Sequence, residues 1–479
     1  MSCLEWGAVK THQRFIKGEV SAKEIVEAYI SEIEAHEKDF NAFITKTFDM
    51  AREKAEELDQ KREKGEPLGK LAGVVVSIKD NIAVKDVLMT CASKMLENFV
   101  APYNATLTET ILKEDGIIIG KTNLDEFAMG GDTKTSYYGI TKNPMNVETV
   151  AGGSSGGSAA SVAGNFSAIG IGTDTGGSVR QPASFCGVVG MKPTYGSISR
   201  YGIASMANTF DQPGVHGKNV EDVLYTLELL QGQDIKDATS LGNEFLTKEA
   251  VEKAKPVEEL RIAVPDIMKD FDVEDEVQEA FDSLLERLMA KGAKVEYVPM
   301  PYLRGTIEVY HILVNGEIAP NMSRFDGIRY GHRAENYENL DELYIRTRSE
   351  GFGDEVKRRI MIGTHILSME LSKEYYEKAM EMRSKMIEEF DNVYKDFDVV
   401  MVPTAPVLAF DVERELTRTE LYMADIFTAP VNIIGGCGIS VPVAGAHLPV
   451  GIQVIGARFH DNQIIRTAFD IEKEAKHVL

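Results

Sequence analysis

Two serine-bearing glycine tracts carry the strongest chemical signal in the chain. Residues 152–158 read Gly-Gly-Ser-Ser-Gly-Gly-Ser, and residues 174–178 read Asp-Thr-Gly-Gly-Ser. Glycine allows the main chain to turn tightly and to approach a ligand closely, so such tracts can direct backbone N–H groups at a developing oxyanion. A helix is expected after each tract. The pattern therefore makes Ser154 and Ser178 candidates for nucleophilic chemistry.

The first tract also allows three other interpretations. A phosphate-binding P-loop requires a lysine after its last glycine, but Gly157 is followed by Ser158, which argues against nucleotide binding. Gly-x-Ser-x-Gly at residues 152–156 fits a histidine-dependent nucleophile elbow with Ser154 as nucleophile, although the preceding residues 143–150 make a poor central strand. His216 is the one histidine within forty residues of either tract. A plain linker is the structural alternative.

A serine nucleophile needs a base, and the best candidate is Lys79. Residues 71–81 read as an apolar strand that ends in this lysine. Burial disfavours the charged form of an amine, so a desolvated lysine has a lowered pKa and can act as a base. Most lysines at strand ends instead extend to water, and that alternative stays open on the residues alone.

Taken together, these features resemble the amidase signature family. They are Lys79 at a strand end, the two serine-bearing tracts, and Arg180-Gln-Pro-Ala directly after the second tract. The resemblance implies a Ser-Ser-Lys triad in which Ser178 is acylated, Ser154 bridges through a cis peptide, and Lys79 is the base. It also implies an oxyanion hole formed by the amides of Thr175, Gly176 and Gly177.

Four further segments are similar to the A subunits of the aspartyl/glutamyl-tRNA amidotransferases: residues 123–129, 323–331, 351–360 and 421–428. That similarity implies a glutaminase that releases ammonia from glutamine and works in a heterotrimer with the B and C subunits. The B subunit would carry most of the tRNA contact. ATP and magnesium would be bound by the partner, so no cofactor or metal is expected in this chain. Glu-tRNA(Gln) and Asp-tRNA(Asn) both remain possible acceptors.

Free glutamine carries a carboxylate and an ammonium, so its pocket requires one fixed cation and one fixed anion. The resemblance implies Arg358 for the carboxylate and Asp425 for the ammonium, with Tyr310, Met129 and Gly130 at the pocket. Arg359 remains an alternative to Arg358, and residues 357–359 could form an ordinary solvated basic face. Tyr310 is equally consistent with a core aromatic. Residues 130–134 and 435–438 depart from the expected family pattern and are expected to border the pocket.

Alternating helical and strand patterns predict an α/β fold. Ser21 and Glu24 form a capping box before a helix that places Ile25, Tyr29, Ile30 and Ile33 on one face. The family resemblance implies a mixed central β-sheet covered on both faces by helices. We expect one amidase domain over residues 1–479, with a helical region to about residue 65 and the core from about residue 66. Residues 59–70 are predicted to form a surface loop.

Charge and composition favour an enzyme of the reduced cytoplasm. Lys and Arg total 52 against 75 Asp and Glu, a net charge of −23, which disfavours primary binding of tRNA. The four cysteines form no Cys-x-x-Cys pair, and no apolar run approaches the length of a membrane span. Two other function classes remain: a stand-alone amidase for small or aryl amides, and a noncatalytic scaffold of the same fold.

Overall fold

Helices and strands alternate along the chain, as the sequence pattern predicts. The computed structural model describes residues 3–242, 246–369 and 371–475. The strands are β1 Phe43–Lys46, β2 Val75–Lys79, β3 Ile117–Thr122, β4 Lys142–Asn143, β5 Asn146–Val150, β6 Ile169–Asp174, β7 Val189–Lys192, β8 Gln212–Gly217, β9 Arg261–Pro265, β10 Lys294–Val298, β11 Val399–Pro403, β12 Cys437–Val443 and β13 Val450–Gly456.

The α-helices of the described residues are α1 Gly7–Ile16, α2 Ala22–Phe40, α3 Phe48–Glu63, α4 Thr106–Lys113, α5 Gly156–Ala163, α6 Arg180–Cys186, α7 Val220–Leu230, α8 Lys248–Lys253, α9 Asp275–Ala290, α10 Thr306–Met322, α11 Leu340–Gly351, α12 Asp354–Ile366, α13 Lys378–Val393, α14 Arg418–Met423, α15 Ala429–Ile433 and α16 Asp461–Ala475. No helix in these ranges is long and apolar enough to cross a membrane.

Eleven of the described strands form one mixed sheet, in the order β1-β3-β2-β6-β8-β7-β12-β13-β11-β9-β10. Every residue of the strands from β3 to β11 in that order is buried, whereas the edge strands β1 and β10 are partly exposed. Strands buried on both faces must be covered on both faces. The predicted α/β fold with a mixed, helix-covered sheet is therefore confirmed.

The sheet brings the two predicted reaction segments together. Strand β2 pairs in parallel with β3 on one side and with β6 on the other. Parallel neighbours present their carboxyl ends at the same edge of a sheet. Strand β2 ends at Lys79, and β6 ends at Asp174, the first residue of the second glycine tract. Lys79 and that tract consequently share one edge.

Two helix predictions follow from local chemistry and are confirmed. Ser21 caps α2, because its Oγ accepts the N–H of Glu24 at 3.1 Å and its own N–H donates to the Glu24 carboxylate at 2.8 Å. Helix α5 directly follows the first tract and is built from small residues. A side chain at Gly157 would lie 2.5 Å from the carbonyl oxygens of both Ala42 and Asn123, so this helix requires its glycine.

Some boundary predictions are wrong. The loop predicted at residues 59–70 is helical at its start, because α3 continues to Glu63. A π-helical turn, Lys373–Glu377, directly precedes α13. The N-terminal helical region also contributes β1, which pairs antiparallel with β3 at the edge of the sheet. Residues 143–150 lie outside the main sheet, in the small β4–β5 ribbon, as their poor strand pattern indicated.

Candidate active site

Lys79 is buried at the end of β2 and contacts the first glycine tract. Its Nζ lies 2.8 Å from the Oγ of Ser154, 2.8 Å from the Oγ of Ser155 and 3.2 Å from the carbonyl oxygen of Thr173. Burial lowers the pKa of Lys79 to about 7, although nearby carboxylates, Asp125 first among them, act in the opposite direction. A substantial fraction of this amine is therefore uncharged at neutral pH. The alternative of a solvated strand-end lysine is wrong.

The first tract forms a tight turn that is fixed by Gln181. The peptide bond between Gly153 and Ser154 is cis, as the resemblance implied. The side chain of Gln181 accepts the N–H of Gly153 at 3.0 Å and donates to the carbonyl oxygen of Gly131 at 3.0 Å. This glutamine therefore connects the serine tract to the segment that follows Met129.

The second tract is organised around the buried carboxylate of Asp174. Its oxygens accept the N–H groups of Gly177 and Val179, each at 3.0 Å, and pair with the guanidinium of Arg180 at 2.8 Å. Burial alone would raise the pKa of Asp174, but the charge and hydrogen bonds of Arg180 hold it at about 2. This permanently charged pair holds the loop in place below Ser178.

Ser178 lies beside the first tract and is only partly buried. Its carbonyl oxygen accepts the N–H of Ser155 at 3.0 Å, so the two tracts are in direct contact. Within the described residues, the Ser178 hydroxyl makes no hydrogen bond, which leaves it available to a substrate. The structure thus brings together the three residues predicted as a triad, with Lys79 bonded to Ser154 and Ser178 adjoining Ser155.

The three predicted oxyanion donors are not equivalent. The N–H of Gly177 is already donated to Asp174. The N–H groups of Thr175 and Gly176 have no acceptor among the residues that the structure describes. The Thr175 hydroxyl donates to Asp211 at 2.6 Å, which fixes the orientation of this turn. Two of the three amides are consequently free to bind an oxyanion.

Tyr310, on α10, covers the second tract. A β-carbon placed on Gly176 would lie 2.6 Å from the Tyr310 hydroxyl oxygen, so the phenol rests directly on this glycine. The side chain is 6% exposed, and burial raises its pKa. Tyr310 is therefore both a core aromatic and a wall of the site.

Asp425 is linked to the same tract through Thr428. The hydroxyl of Thr428 joins the two, donating to the carbonyl oxygen of Gly176 at 2.7 Å while its oxygen lies 3.2 Å from the carbonyl oxygen of Asp425. The Asp425 carboxylate makes no hydrogen bond or ion pair within the described residues, and burial raises its pKa to about 7. Part of Asp425 remains exposed, and a largely desolvated carboxylate without a partner is costly, so this group is suited to receive a cation from a ligand.

The two arginines of α12 differ in their contacts. Arg358 uses Nε and Nη2 to hold Glu355, at 2.9 and 2.5 Å, and also contacts the hydroxyl of Tyr422. Arg359 contacts Glu355 through Nε alone, at 2.7 Å, and its side chain is 5% exposed. Its charge opposes the rise that burial causes in the pKa of Tyr310 and Asp425. The geometry therefore favours Arg359 over the predicted Arg358 as the cation that faces the site.

Met129 and Gly130 follow a turn whose carboxylate, Asp125, lies behind the first tract. A β-carbon on Gly130 would be 2.1 Å from one Asp125 oxygen, and a β-carbon on Gly153 would be 2.1 Å from the other. Asp125 accepts the N–H of Thr133 at 3.0 Å. Met129 and Gly130 are thereby placed next to the Gly153–Ser154 turn. In the other stretch that departs from the family pattern, the Gly436 carbonyl accepts from buried Lys192 at 2.6 Å.

His216 does not serve either serine. Its Nε2 lies 2.9 Å from the carbonyl oxygen of Val179, and burial lowers its pKa to about 4. The histidine-dependent elbow interpretation of Ser154 is therefore wrong. Within the described residues, no group of three or more His, Cys, Asp or Glu side chains could hold a metal ion.

Comparison with known proteins agrees with this geometry. The amidase family pattern matches residues 24–465. The chain belongs to the amidase family. The A subunit of the glutamyl-tRNA(Gln) amidotransferase of Fusobacterium nucleatum subsp. nucleatum is 43% identical over 480 residues, covering 98% of this chain and 96% of that protein.

Solved structures give the same result. The crystal structure of the A subunit of glutamyl-tRNA(Gln) amidotransferase from Thermotoga maritima overlaps with a TM-score of 0.80 at 36% identity, covering 97% of this chain and 94% of that chain. A bacterial aryl acylamidase of the amidase signature family overlaps with a TM-score of 0.85 at 26% identity, covering 98% of this chain and 97% of that chain.

Sequence reasoning missed several residues that build the site. Ser155, which shares Lys79 with Ser154, lies in the first glycine tract, but the sequence pattern gave it no role. Gln181 lies in the Arg-Gln-Pro-Ala motif, and Asp125 lies in the 123–129 segment. The available signal was their position inside these motifs.

Proposed function

We propose that this chain is the glutaminase subunit of a tRNA-dependent amidotransferase. It hydrolyses glutamine to glutamate and ammonia, and a partner uses the ammonia to convert Glu-tRNA(Gln), Asp-tRNA(Asn) or both to the amidated forms. One observation carries the proposal. The buried Nζ of Lys79 is hydrogen-bonded to the Oγ of Ser154 at 2.8 Å, beside the partly exposed residue Ser178.

In the proposed reaction, the Ser178 oxygen attacks the side-chain amide carbon of glutamine. The Ser178 proton passes to Ser154 as the Ser154 proton passes to Nζ of Lys79, and the N–H groups of Thr175 and Gly176 bind the oxyanion. The proton then returns through Ser154 to the leaving nitrogen, the carbon–nitrogen bond breaks, and ammonia departs. Water hydrolyses the resulting γ-glutamyl ester by the same relay, which releases glutamate and restores Ser178.

The free amino acid is held by its two charged ends. In this proposal Asp425 binds the ammonium and Arg359 binds the carboxylate, while Arg358 stays paired with Glu355 and orients Tyr422. Tyr310, Met129 and Gly130 border the side chain. The support is the Asp425 carboxylate, which has no partner among the described residues, and Arg359, of which only Nε is bonded to Glu355.

The remaining roles belong to partners. The proposed assembly is a heterotrimer with the B and C subunits in the cytoplasm. The B subunit provides most of the tRNA contact and binds ATP and magnesium, so this chain needs no cofactor of its own. A net charge of −23 supports this division, because an acidic surface repels a polyanion.

One measurement tests the proposal: ammonia release from glutamine by the full chain, with and without the B and C subunits and ATP. We expect glutaminase activity that increases with the partners and is abolished in Ser178→Ala. The high structural similarity to an aryl acylamidase, a TM-score of 0.85, favours a stand-alone amidase as the second candidate. That candidate predicts hydrolysis of aryl amides without glutaminase activity and without any effect of the partners. Ammonia release that survives Ser178→Ala would mean that Ser178 is not the nucleophile.

A further inference from the structure

Glu126 connects two parts of the site that are far apart in the sequence. Its carboxylate accepts the N–H of Gly353 with both oxygens, at 3.1 and 2.9 Å, and also accepts the Ser93 hydroxyl. Gly353 is the N-cap residue directly before α12, and it has no side chain with which to cap the helix itself. Glu126 therefore supplies, from another part of the chain, the carboxylate that accepts the N–H at the start of this helix.

The contact at Gly353 leaves no room for another group. A β-carbon on Gly353 would lie 2.3 Å from an oxygen of Glu126. The backbone of Gly353 has φ −70°, a value that any residue adopts, so the Glu126 carboxylate itself is the atom group that excludes a larger residue here.

The segment after Glu126 is strained and needs such an anchor. Phe127 and Ala128 both have left-handed backbone conformations, with φ of 49° and 63°. Such a conformation is strained in a residue other than glycine and persists where surrounding contacts hold it. The ring of Phe127 provides a second anchor, since its centroid lies 4.7 Å from the centroid of the Phe325 ring and 5.7 Å from that of the Phe352 ring. Met129 and Gly130 follow directly.

We propose that Glu126 is a positioning residue for substrate binding. It fixes the start of α12, the helix that carries Arg358 and Arg359, against the segment that carries Met129 and Gly130. Glu126 does not touch the substrate in this account. It sets the separation between the arginine that binds the substrate carboxylate and the turn beside Ser154. This inference rests on the proposed glutaminase function.

The test is the steady-state kinetics of ammonia release by the chain assembled with its partners. Burial raises the pKa of Glu126 to about 7, so the assay is run at about pH 8.5, where this carboxylate is ionised. Glu126→Gln keeps the shape but loses that charge and one acceptor. We expect its KM for glutamine to rise about 10-fold, the effect of losing one charge-assisted hydrogen bond, with kcat within about 3-fold of wild type. Gly353→Ala should raise KM similarly by displacing the carboxylate. Because both changes break the same contact, the KM of the double variant should rise by much less than the product of the two single increases.

Glu37 offers a matched control. Its carboxylate is also buried, accepts two backbone N–H groups, from Ala42 and Phe43 at 3.1 and 2.7 Å, and has a pKa raised by burial to about 7. It lies in the last turn of α2, and its hydrogen bonds within the described residues reach neither α12 nor the serine tracts. Glu37→Gln should lower the thermal unfolding temperature but leave the KM for glutamine within about 2-fold of wild type, since one comparable hydrogen bond is lost elsewhere.

The outcomes distinguish failure of the positioning role from failure of the proposed glutaminase function. A wild-type chain without glutaminase activity would overturn both. An active wild type with an unchanged KM in folded Glu126→Gln would overturn the positioning role alone, as would a fall in kcat at constant KM. If Glu126→Gln does not fold, Ser93→Ala removes one donor and keeps the Gly353 contact. A KM about 3-fold higher supports the role, and an unchanged KM contradicts it.

Discussion

Replacing Lys79 by methionine should abolish activity and yet stabilise the protein at low pH. Burial lowers the pKa of Lys79 from its ordinary value of 10.5 to about 7, and each pKa unit corresponds to about 1.4 kcal/mol. Well below pH 7 the folded protein therefore carries a penalty of about 5 kcal/mol for the buried ammonium. Methionine removes that penalty but also removes three hydrogen bonds, worth roughly 1 kcal/mol each.

The sign of the pH dependence follows from the lowered pKa. Between about pH 7 and 10.5 the unfolded chain binds the lysine proton more strongly than the folded protein does, so the wild type gains stability as pH rises. Lys79→Met lacks this titration. We expect the variant to be about 2 kcal/mol more stable than wild type at pH 6 and about 1 kcal/mol less stable at pH 9.

The assay is urea unfolding of both proteins at pH 6, 7.5 and 9, followed by the difference in their free energies of unfolding. Lys192→Met is the matched control, because Lys192 is also buried, with a pKa lowered to about 8, but hydrogen-bonds only carbonyl oxygens of the described chain. Its free energy of unfolding relative to wild type should change with pH in the same direction, and the variant should retain ammonia release. A Lys79→Met difference that is the same at pH 6 and pH 9 would mean that Lys79 is fully charged at neutral pH and cannot be the base.

Three further predictions concern catalysis. The kcat/KM for ammonia release should rise between pH 6 and 8 with an inflection near pH 7, where the Lys79 amine loses its proton; a rate that falls over this range would contradict the assignment. Asp425→Asn should raise the KM for glutamine about 100-fold while sulfonyl fluoride labelling of Ser178 keeps its wild-type rate; slower labelling would instead indicate a disturbed triad. Thr175→Val, which removes the 2.6 Å bond to Asp211, should lower kcat about 10-fold with little change in KM, and an equal rise in KM would argue against an oxyanion role.

Local patterns predicted the reactive centre well. A run of apolar residues placed Lys79 at the end of a buried strand, and glycine tracts placed turns at residues 152–158 and 174–178. Both features depend on residues that are adjacent in the sequence. The parallel pairing of β2 and β6, which brings the two together, was not predicted, since a strand pattern does not specify its neighbour; the family resemblance implied only that the two segments meet in one triad.

The residues that bind the substrate could be predicted less well from the sequence. Arg358 and Arg359 are adjacent, and which of them faces the pocket depends on the rotation of α12 about its axis, where neighbouring residues differ by about 100°. Glu126 and Gly353 are 227 residues apart, and Gln181 and Gly153 are 28 apart. Contacts of this kind arise from tertiary packing, which no local periodicity encodes.

The most direct test of the account is to identify the serine that becomes acylated. The enzyme is mixed with glutamine, quenched rapidly in acid, and digested, and fragment ions locate any γ-glutamyl ester within the peptide that contains both serine tracts. We predict the ester on Ser178 in wild type and no ester in Lys79→Met. An ester on Ser154, or full turnover with no ester on either serine, would contradict the proposed Lys79–Ser154–Ser178 relay.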